Sequence, residues 1–377
     1  MKEHAGLYIH IPFCQQKCEY CDFYSITRLE QVEEFVEALL AEIVLRAGEF
    51  RERVFQTVFF GGGTPSLLNE EQLERIWRAL QEHFRIDPGG EFSIESNPGT
   101  LTREKLTHFR ALGFNRLSMG VQSFNPAELR FLGRIHSVEE VRENFRNARE
   151  AGFRNINLDL MTAFPGLTPE SFRYSLEEAL ALSPEHLSCY TLIFEPGTVF
   201  YKKMQSGELN PLGEDEEAAY YELAQEILEA RGYCQYEVSN FARGRERVCR
   251  HNLVYWEHRP YLGLGPSAHS FYRNVRRGNK RSLTIYIKSL QKGQLPLDFR
   301  EELSPEQLMF EYTFLSLRLR EGLDTGAFRQ RFGLDFREKY RSAIHKLAEN
   351  ELVEWSDRHL RLSAKGWLVA DTVASYF

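Results

Sequence analysis

Leu7-Tyr8-Ile9-His10-Ile11-Pro12-Phe13-Cys14-Gln15-Gln16-Lys17-Cys18-Glu19-Tyr20-Cys21 is an apolar strand, Leu7–Ile11, running straight into a loop whose cysteines are spaced C-x3-C-x2-C. Three thiolates on one short loop take three corners of a cubane [4Fe–4S] cluster and leave the fourth iron without a protein ligand. A structural zinc site wants four ligands, and the nearest candidate for the fourth, His10, lies on the strand before the loop. The remaining cysteines, Cys189, Cys234 and Cys249, are scattered along the chain. Cys189 and Cys234 sit in apolar surroundings and read as inert core thiols. A disulfide framework is foreign to a chain of this size whose first residues, MKEHAGLYIHIPF, show no secretory or transit pattern.

Outward from that loop, short β-rich segments recur at 7–11, 57–60, 91–95, 116–122, 155–161 and 187–193. Between them lie runs of helical period at 31–47, 70–84, 103–112, 138–151 and 169–182. Strands alternating with helices imply right-handed crossovers and a parallel sheet. The strands are largely apolar, as in Ile156-Asn157-Leu158-Asp159-Leu160-Met161, which suits a sheet covered on one face and lining an interior on the other. The fold class is therefore α/β, a partial, open (β/α)6 barrel. Gly61-Gly62-Gly63, Glu95, Gln122 and Asp159 fall at strand ends, the rim where α/β proteins place their sites. Glycines there let backbone approach a ligand closely, and the G-K-[ST] ending of a phosphate loop is missing.

The alternation stops near residue 200. Residues 212–231 read as an acidic helix, and 232–279 as a polar, aromatic-rich stretch. Beyond a polar, Pro-containing boundary near 300 come helical patterns at 305–320, 325–332 and 336–350, then a small hairpin, LVEW–SDRH–LRLSAKG. The chain divides into a barrel (1–210), a barrel extension (211–299) and a C-terminal, mainly α, winged-helix-like domain (300–377). A winged helix invites a DNA-binding reading, but the formal net charge of −7 favours a packing or lid role and no nucleic-acid partner. A hydrophobic fraction of 42% and a charged fraction of 27% are those of an ordinary globular protein. No apolar run approaches the roughly 20 residues that span a bilayer, so a cytoplasmic, reducing setting is expected.

Tyr8-Ile9-His10-Ile11-Pro12-Phe13-Cys14 with this cysteine spacing resembles the radical SAM superfamily and, more narrowly, its oxygen-independent coproporphyrinogen III oxidase-like group. The resemblance runs through nearly the whole chain, the C-terminal module included. It implies S-adenosylmethionine (SAM) on the open iron of the cluster, where electron transfer breaks a C–S bond and yields an adenosyl radical. It also implies a SAM pocket one residue at a time. Gly62, Gly63 and Thr64 would contact the methionyl amino group, Glu95 and Gln122 the ribose and methionine ends, and Arg134 the carboxylate. Asp159, a charge inside an apolar strand, needs a partner or ligand, while Tyr8, Phe13 and Tyr20 would border the adenine or the cluster.

Two features separate the branches of that group. The dehydrogenase pattern continues to a fourth cysteine two residues after the third, and that place is taken by Phe23. The run His251-Asn252-Leu253-Val254-Tyr255-Trp256 resembles the motif of the haem chaperone branch, the HemW-type proteins. An imidazole is a common axial ligand and aromatic rings stack on porphyrins. The resemblance therefore implies haem at His251, Asn252, Tyr255 and Trp256, with His251 the axial ligand and the Cys249 thiolate its alternative. His269 is open to a SAM-side or a haem-side role. The implied activity is a haem chaperone that binds cluster, SAM and haem and delivers haem to acceptor haemoproteins, membrane-bound respiratory enzymes among them. The cluster would take part in dimerisation or in haem release. The competing readings are coproporphyrinogen III oxidative decarboxylation through a 5′-deoxyadenosyl radical and a structural zinc protein.

Overall fold

The computed structural model describes residues 4–377. Six strands, β1 (His4–Ile11), β2 (Val54–Gly62), β3 (Ile86–Ser96), β4 (Arg116–Gln122), β5 (Ile156–Thr162) and β6 (His186–Thr191), pair in chain order and in parallel. The crossover helices are Val32–Arg46, Glu70–His83, Arg103–Leu112, Val138–Glu150 and Pro169–Ala181. Their starts are encoded locally. Asn69 with Gln72 and Ser137 with Glu140 form reciprocal capping boxes, and the side chains of Thr102 and Thr168 accept from the third residue beyond them. One continuous core, from Leu7 and Ile9 through Phe60, Leu117 and Leu158 to Leu228, fills the space between strands and helices.

The stretch 232–279, which carries no strand in the sequence reading, holds five. β7 (Cys234–Glu237) and β8 (Asn240–Ala242) extend the sheet antiparallel beyond β6. β9 (Tyr261–Leu264) returns to pair in parallel with the free edge of β1, and β10 (His269–Tyr272), β11 (Val275–Asn279) and β12 (Leu297–Glu302) follow it antiparallel. The result is one open twelve-stranded sheet with the cysteine-bearing strand β1 in its interior. Between β8 and β9 lies the helix Arg250–Trp256, laid against β1 and β2.

The last part packs on a core of its own, including Met309, Phe328, Phe336, Leu347 and Leu360. Its helix Pro305–Ser316 leads to β13 (Leu323–Asp324), and β13, β14 (Val353–Ser356) and β15 (His359–Leu362) form a small antiparallel sheet. The single helix read over 336–350 is in fact two, Phe336–Lys339 and Arg341–Glu349, because Tyr340 adopts φ −110° and ψ 24°. This part is stitched to β7: Val238 N donates to Arg318 O and Arg320 N to Tyr236 O. Among the described residues no helix is long and apolar enough to cross a membrane.

Candidate functional site

The loop after β1 is clamped on both sides. Cys14 N donates to Ile26 O and Ile26 N to Pro12 O, while Gly63 N and Thr64 N, just past β2, donate to Ile11 O and Phe13 O. The three thiols are half-buried and close enough to influence one another. Burial pushes Cys21 up to about 11, and the neighbouring Cys18 and Cys14 add to the rise. Thr64 Oγ1 donates to Cys14 Sγ at 3.6 Å, and Arg134 Nη1 to Cys18 Sγ, also at 3.6 Å. No three His, Cys, Asp or Glu side chains among the described residues converge on a single-ion site. His10 is committed elsewhere, its Nε2 to Tyr24 O at 2.8 Å and its Nδ1 to the Tyr8 hydroxyl at 3.0 Å.

The glycines of Gly61-Gly62-Gly63 are demanded by the protein itself. A Cβ on Gly63 would lie 2.6 Å from Phe13 O and 2.9 Å from Ile11 O, the backbone of the cysteine loop. Gly62 has φ +109°, and a Cβ there would meet the His10 ring at 2.5 Å. The motif thus seats β2 against the loop. Gly62 N donates to Glu95 Oε2 at 3.0 Å, and burial, reinforced by the charge of Asp159, raises the Glu95 carboxyl to about 8. Asp159 lies in the middle of β5 and is fully bonded, accepting from Asn157 Nδ2 at 2.8 Å and Ser118 Oγ at 3.1 Å. Gln122, the last residue of β4, takes φ +69° beside a register shift at Gly120. Arg134 spends Nη2 on Asn97 Oδ1 and Gly120 O, leaving its buried Nε without a protein partner. Tyr20 is half-buried over Phe200, while Phe13 is a core residue stacked edge-on to Phe35.

The run from His251 to Trp256 forms the helix between β8 and β9, and its backbone start is capped by Glu91 of β3, which accepts from Arg250 N and His251 N. His251 is only 2% exposed. Its Nδ1 is hydrogen bonded to Thr57 Oγ1 at 2.8 Å and its Nε2 to Tyr255 Oη at 3.0 Å. Burial, with Arg116 adding, pushes its imidazolium down to about 3, so the ring is neutral. Phe59 stacks on one side of it at 5.0 Å. Tyr255, one turn on, borders two clefts. One, of about 370 Å³, is lined by Tyr8, Phe23, His269 and Arg281, and the other, of about 620 Å³, by His258, Arg276, Phe310 and Phe314. Trp256 points to the C-terminal part, with the Arg318 guanidinium 5.5 Å from its ring, and Asn252 is half-buried.

Known proteins bring these observations together. The family model for the radical SAM superfamily matches residues 8–179, and that for the HemN C-terminal domain matches residues 303–369. The chain is similar to a protein of Bacillus subtilis (strain 168) named "Heme chaperone HemW", 37% identical with 98% of each chain covered. The chain belongs to the HemW family. A second HemW relative, from Lactococcus lactis, is 34% identical over 98% of this chain and 96% of its own. Among solved structures, coproporphyrinogen III oxidase (HemN) of Escherichia coli, titled a radical SAM enzyme, superposes with a TM-score of 0.87 at 28% identity, covering 100% of this chain and 90% of that one.

In this HemW-family chain one expectation about the thiols, the core placement of Cys234, is corrected. Cys249 is buried, its thiol 3.7 Å from Glu91 Oε1, and burial pushes it up to about 12. Cys234 is exposed at the start of the edge strand β7, whereas Cys189 is buried as expected. Residues that the sequence reading missed are the ones that hold the others: Thr57 and Phe59 on β2, Glu91 on β3, and Asn97, whose Nδ2 donates to Thr64 Oγ1 at 2.9 Å. Asn97, two residues beyond Glu95, and Phe59, two before Gly61, stand close to recognised motifs.

Proposed function

We propose that this protein is a haem chaperone: it takes up haem beside the His251–Trp256 helix and delivers it to acceptor haemoproteins. The observation that carries the reading is the pairing of an HemW-type helix, built into the barrel wall against β1 and β2, with Phe23 in place of a fourth cysteine. Cys14, Cys18 and Cys21 would hold a [4Fe–4S] cluster, which when bound supplies electron transfer and an open iron for SAM. Gly62, Gly63, Thr64, Glu95, Gln122 and Arg134 would line the SAM side, with Tyr8 and Tyr20 at its border and Asp159 beneath it. Arg134, with a buried Nε still free and Nη1 on Cys18, suits an anion beside the cluster. The division at 1–210, 211–299 and 300–377, a homodimer and a cytoplasmic site of action belong to the same proposal, as do membrane-bound respiratory enzymes as acceptors.

The superposition on HemN favours one alternative, oxidative decarboxylation of coproporphyrinogen III on the same scaffold. A single anaerobically reconstituted preparation separates the two. Haem uptake with a Soret band, passage of that haem to an apo-haemoprotein and no porphyrinogen conversion are expected. Conversion of coproporphyrinogen III under reducing conditions with SAM would overturn the chaperone reading.

A further inference from the structure

The geometry points to Tyr255, not His251, as the residue that presents its side-chain atom to haem iron, with His251 a positioning residue behind it. This rests on the haem-carrier reading above and names the iron-facing group within it. His251 is the obvious ligand by residue type, yet nothing about its setting leaves it free. It is 2% exposed, its Nδ1 is 2.8 Å from Thr57 Oγ1, and the approach to Nε2 is filled by Tyr255 Oη at 3.0 Å. Phe59 lies on its face, with planes 23° apart, and the Tyr255 ring stands edge-on to it at 89°. For iron to reach Nε2, the Tyr255 ring would have to leave the helix face, stranding a buried hydroxyl.

Tyr255 is the outer member of this pair. It is half-buried and borders both the 370 Å³ cleft beside the cysteine loop and the 620 Å³ cleft under the helix Pro305–Ser316. The nearer cleft suits a flat, apolar ligand with carboxylate arms. Phe23, 67% exposed shortly after the cysteines, gives it an aromatic wall, and at its rim the Arg281 guanidinium lies 3.7 Å from the Asp22 carboxylate, a cation that an incoming carboxylate would share with that side chain. A tyrosine phenolate is among the axial ligands that haem iron accepts. The hydrogen-bond chain is of the right kind to support one. With the proton on Nε2, the tautomer in which the Thr57 hydroxyl donates to Nδ1, the ring would donate to Tyr255 Oη and so support a phenolate there. In that arrangement the Tyr255 O–H is not spent on His251. On binding, that O–H bond breaks and an Oη–Fe bond forms. The proton leaves as water with the hydroxide carried by incoming ferric haem, so no net charge is buried and no electron moves.

The test uses the full-length, cluster-reconstituted protein titrated with ferric haem. Wild type is expected to show a phenolate-to-iron charge-transfer band and phenolate modes in resonance Raman spectra. Tyr255→Phe, which removes one oxygen, should lose both and bind haem at least about tenfold more weakly, with iron content unchanged. Thr57→Val should keep the band and shift its energy, because the hydroxyl behind His251 is gone. A wild-type spectrum of imidazole type that Tyr255→Phe leaves unaltered overturns the assignment and leaves the haem-carrier reading standing. A Thr57→Val spectrum identical to wild type removes His251 from its positioning role. A wild-type protein that takes up no haem overturns the reading and the assignment with it.

Discussion

The ring of Phe59 lies on the ring of His251, centroids 5.0 Å and planes 23° apart. The same Phe59 would be only 2.9 Å from a Cβ on Gly61, beside Glu95. One side chain of β2 therefore touches both the glycine run with its buried carboxylate and the helix of the haem-chaperone motif. The two candidate ligand regions are adjoining parts of one barrel interior.

Phe59→Ala should remove that joint. Deleting a ring that is 9% exposed costs about 3 kcal/mol of stability, measurable by urea denaturation. At temperatures where the variant stays folded, haem uptake should fall while iron per chain holds. Unchanged uptake would show that the His251–Tyr255 pair needs no support from β2.

Gly63→Ala should strike the cluster instead. The added methyl meets backbone oxygens of the cysteine loop at 2.6 and 2.9 Å, atoms that cannot rotate away. Iron and sulfide per chain after reconstitution should drop severalfold. Gly48→Ala, whose nearest neighbour is 3.8 Å off, should reconstitute like wild type. Full cluster occupancy in Gly63→Ala would mean that the loop is not held by β2.

Glu95 makes stability depend on pH. Its carboxyl titrates near 4.5 in the unfolded chain and near 8 when folded. Between those values the folded protein keeps a proton the unfolded chain has lost. The folded state is thus favoured at the acid end and loses ground as the pH rises to about 8. Burial raises the Asp159 carboxyl in the same sense. Glu95→Gln removes the Glu95 part, so its urea midpoint should gain on wild type from about pH 5 to 8. Parallel curves would rule out a protonated Glu95.

Arg134→Gln should leave the cluster in place but alter its electronics. The wild-type guanidinium puts a positive N–H donor 3.6 Å from Cys18 Sγ, and hydrogen bonds to ligand sulfur raise a cluster's potential. The midpoint should move to more negative values in anaerobic redox titration. An unmoved midpoint would confine Arg134 to bracing Asn97 and Gly120.

Phe23→Cys restores the spacing of the dehydrogenase branch at a site 67% exposed, so stability should change by less than about 0.5 kcal/mol. The restored thiol alone should not confer coproporphyrinogen III conversion, assayed by product chromatography. Turnover in this variant would make the missing cysteine the whole difference between the branches.

Local pattern carried much of this structure. The helix at Arg103–Leu112 and the strand at Arg116–Gln122 begin and end where hydrophobic period and caps place them. The cysteine loop was legible because its meaning lies in spacing along the chain. What could not be read is what depends on partners far apart in sequence. β9–β12 are strands of four to six residues, and β12 is largely exposed, so they show little period and take their identity from pairing with β1 and with one another. The burial of His251 is set by Thr57, 194 residues away, and the use of Gly63 by the carbonyl of Phe13. Residue type announced a ligand at His251, but only the tertiary packing shows that its ring nitrogens are already engaged.

The place of β1 has a consequence for biosynthesis. β1 lies between β2 and β9, and β9 follows it by about 250 residues, so one of its edges stays open until Leu264 has left the ribosome. Until then a nascent chain exposes an unpaired, largely apolar edge next to three thiols, an arrangement prone to misassociation. A truncated translation product ending before β9 should therefore be a target for chaperones and proteases.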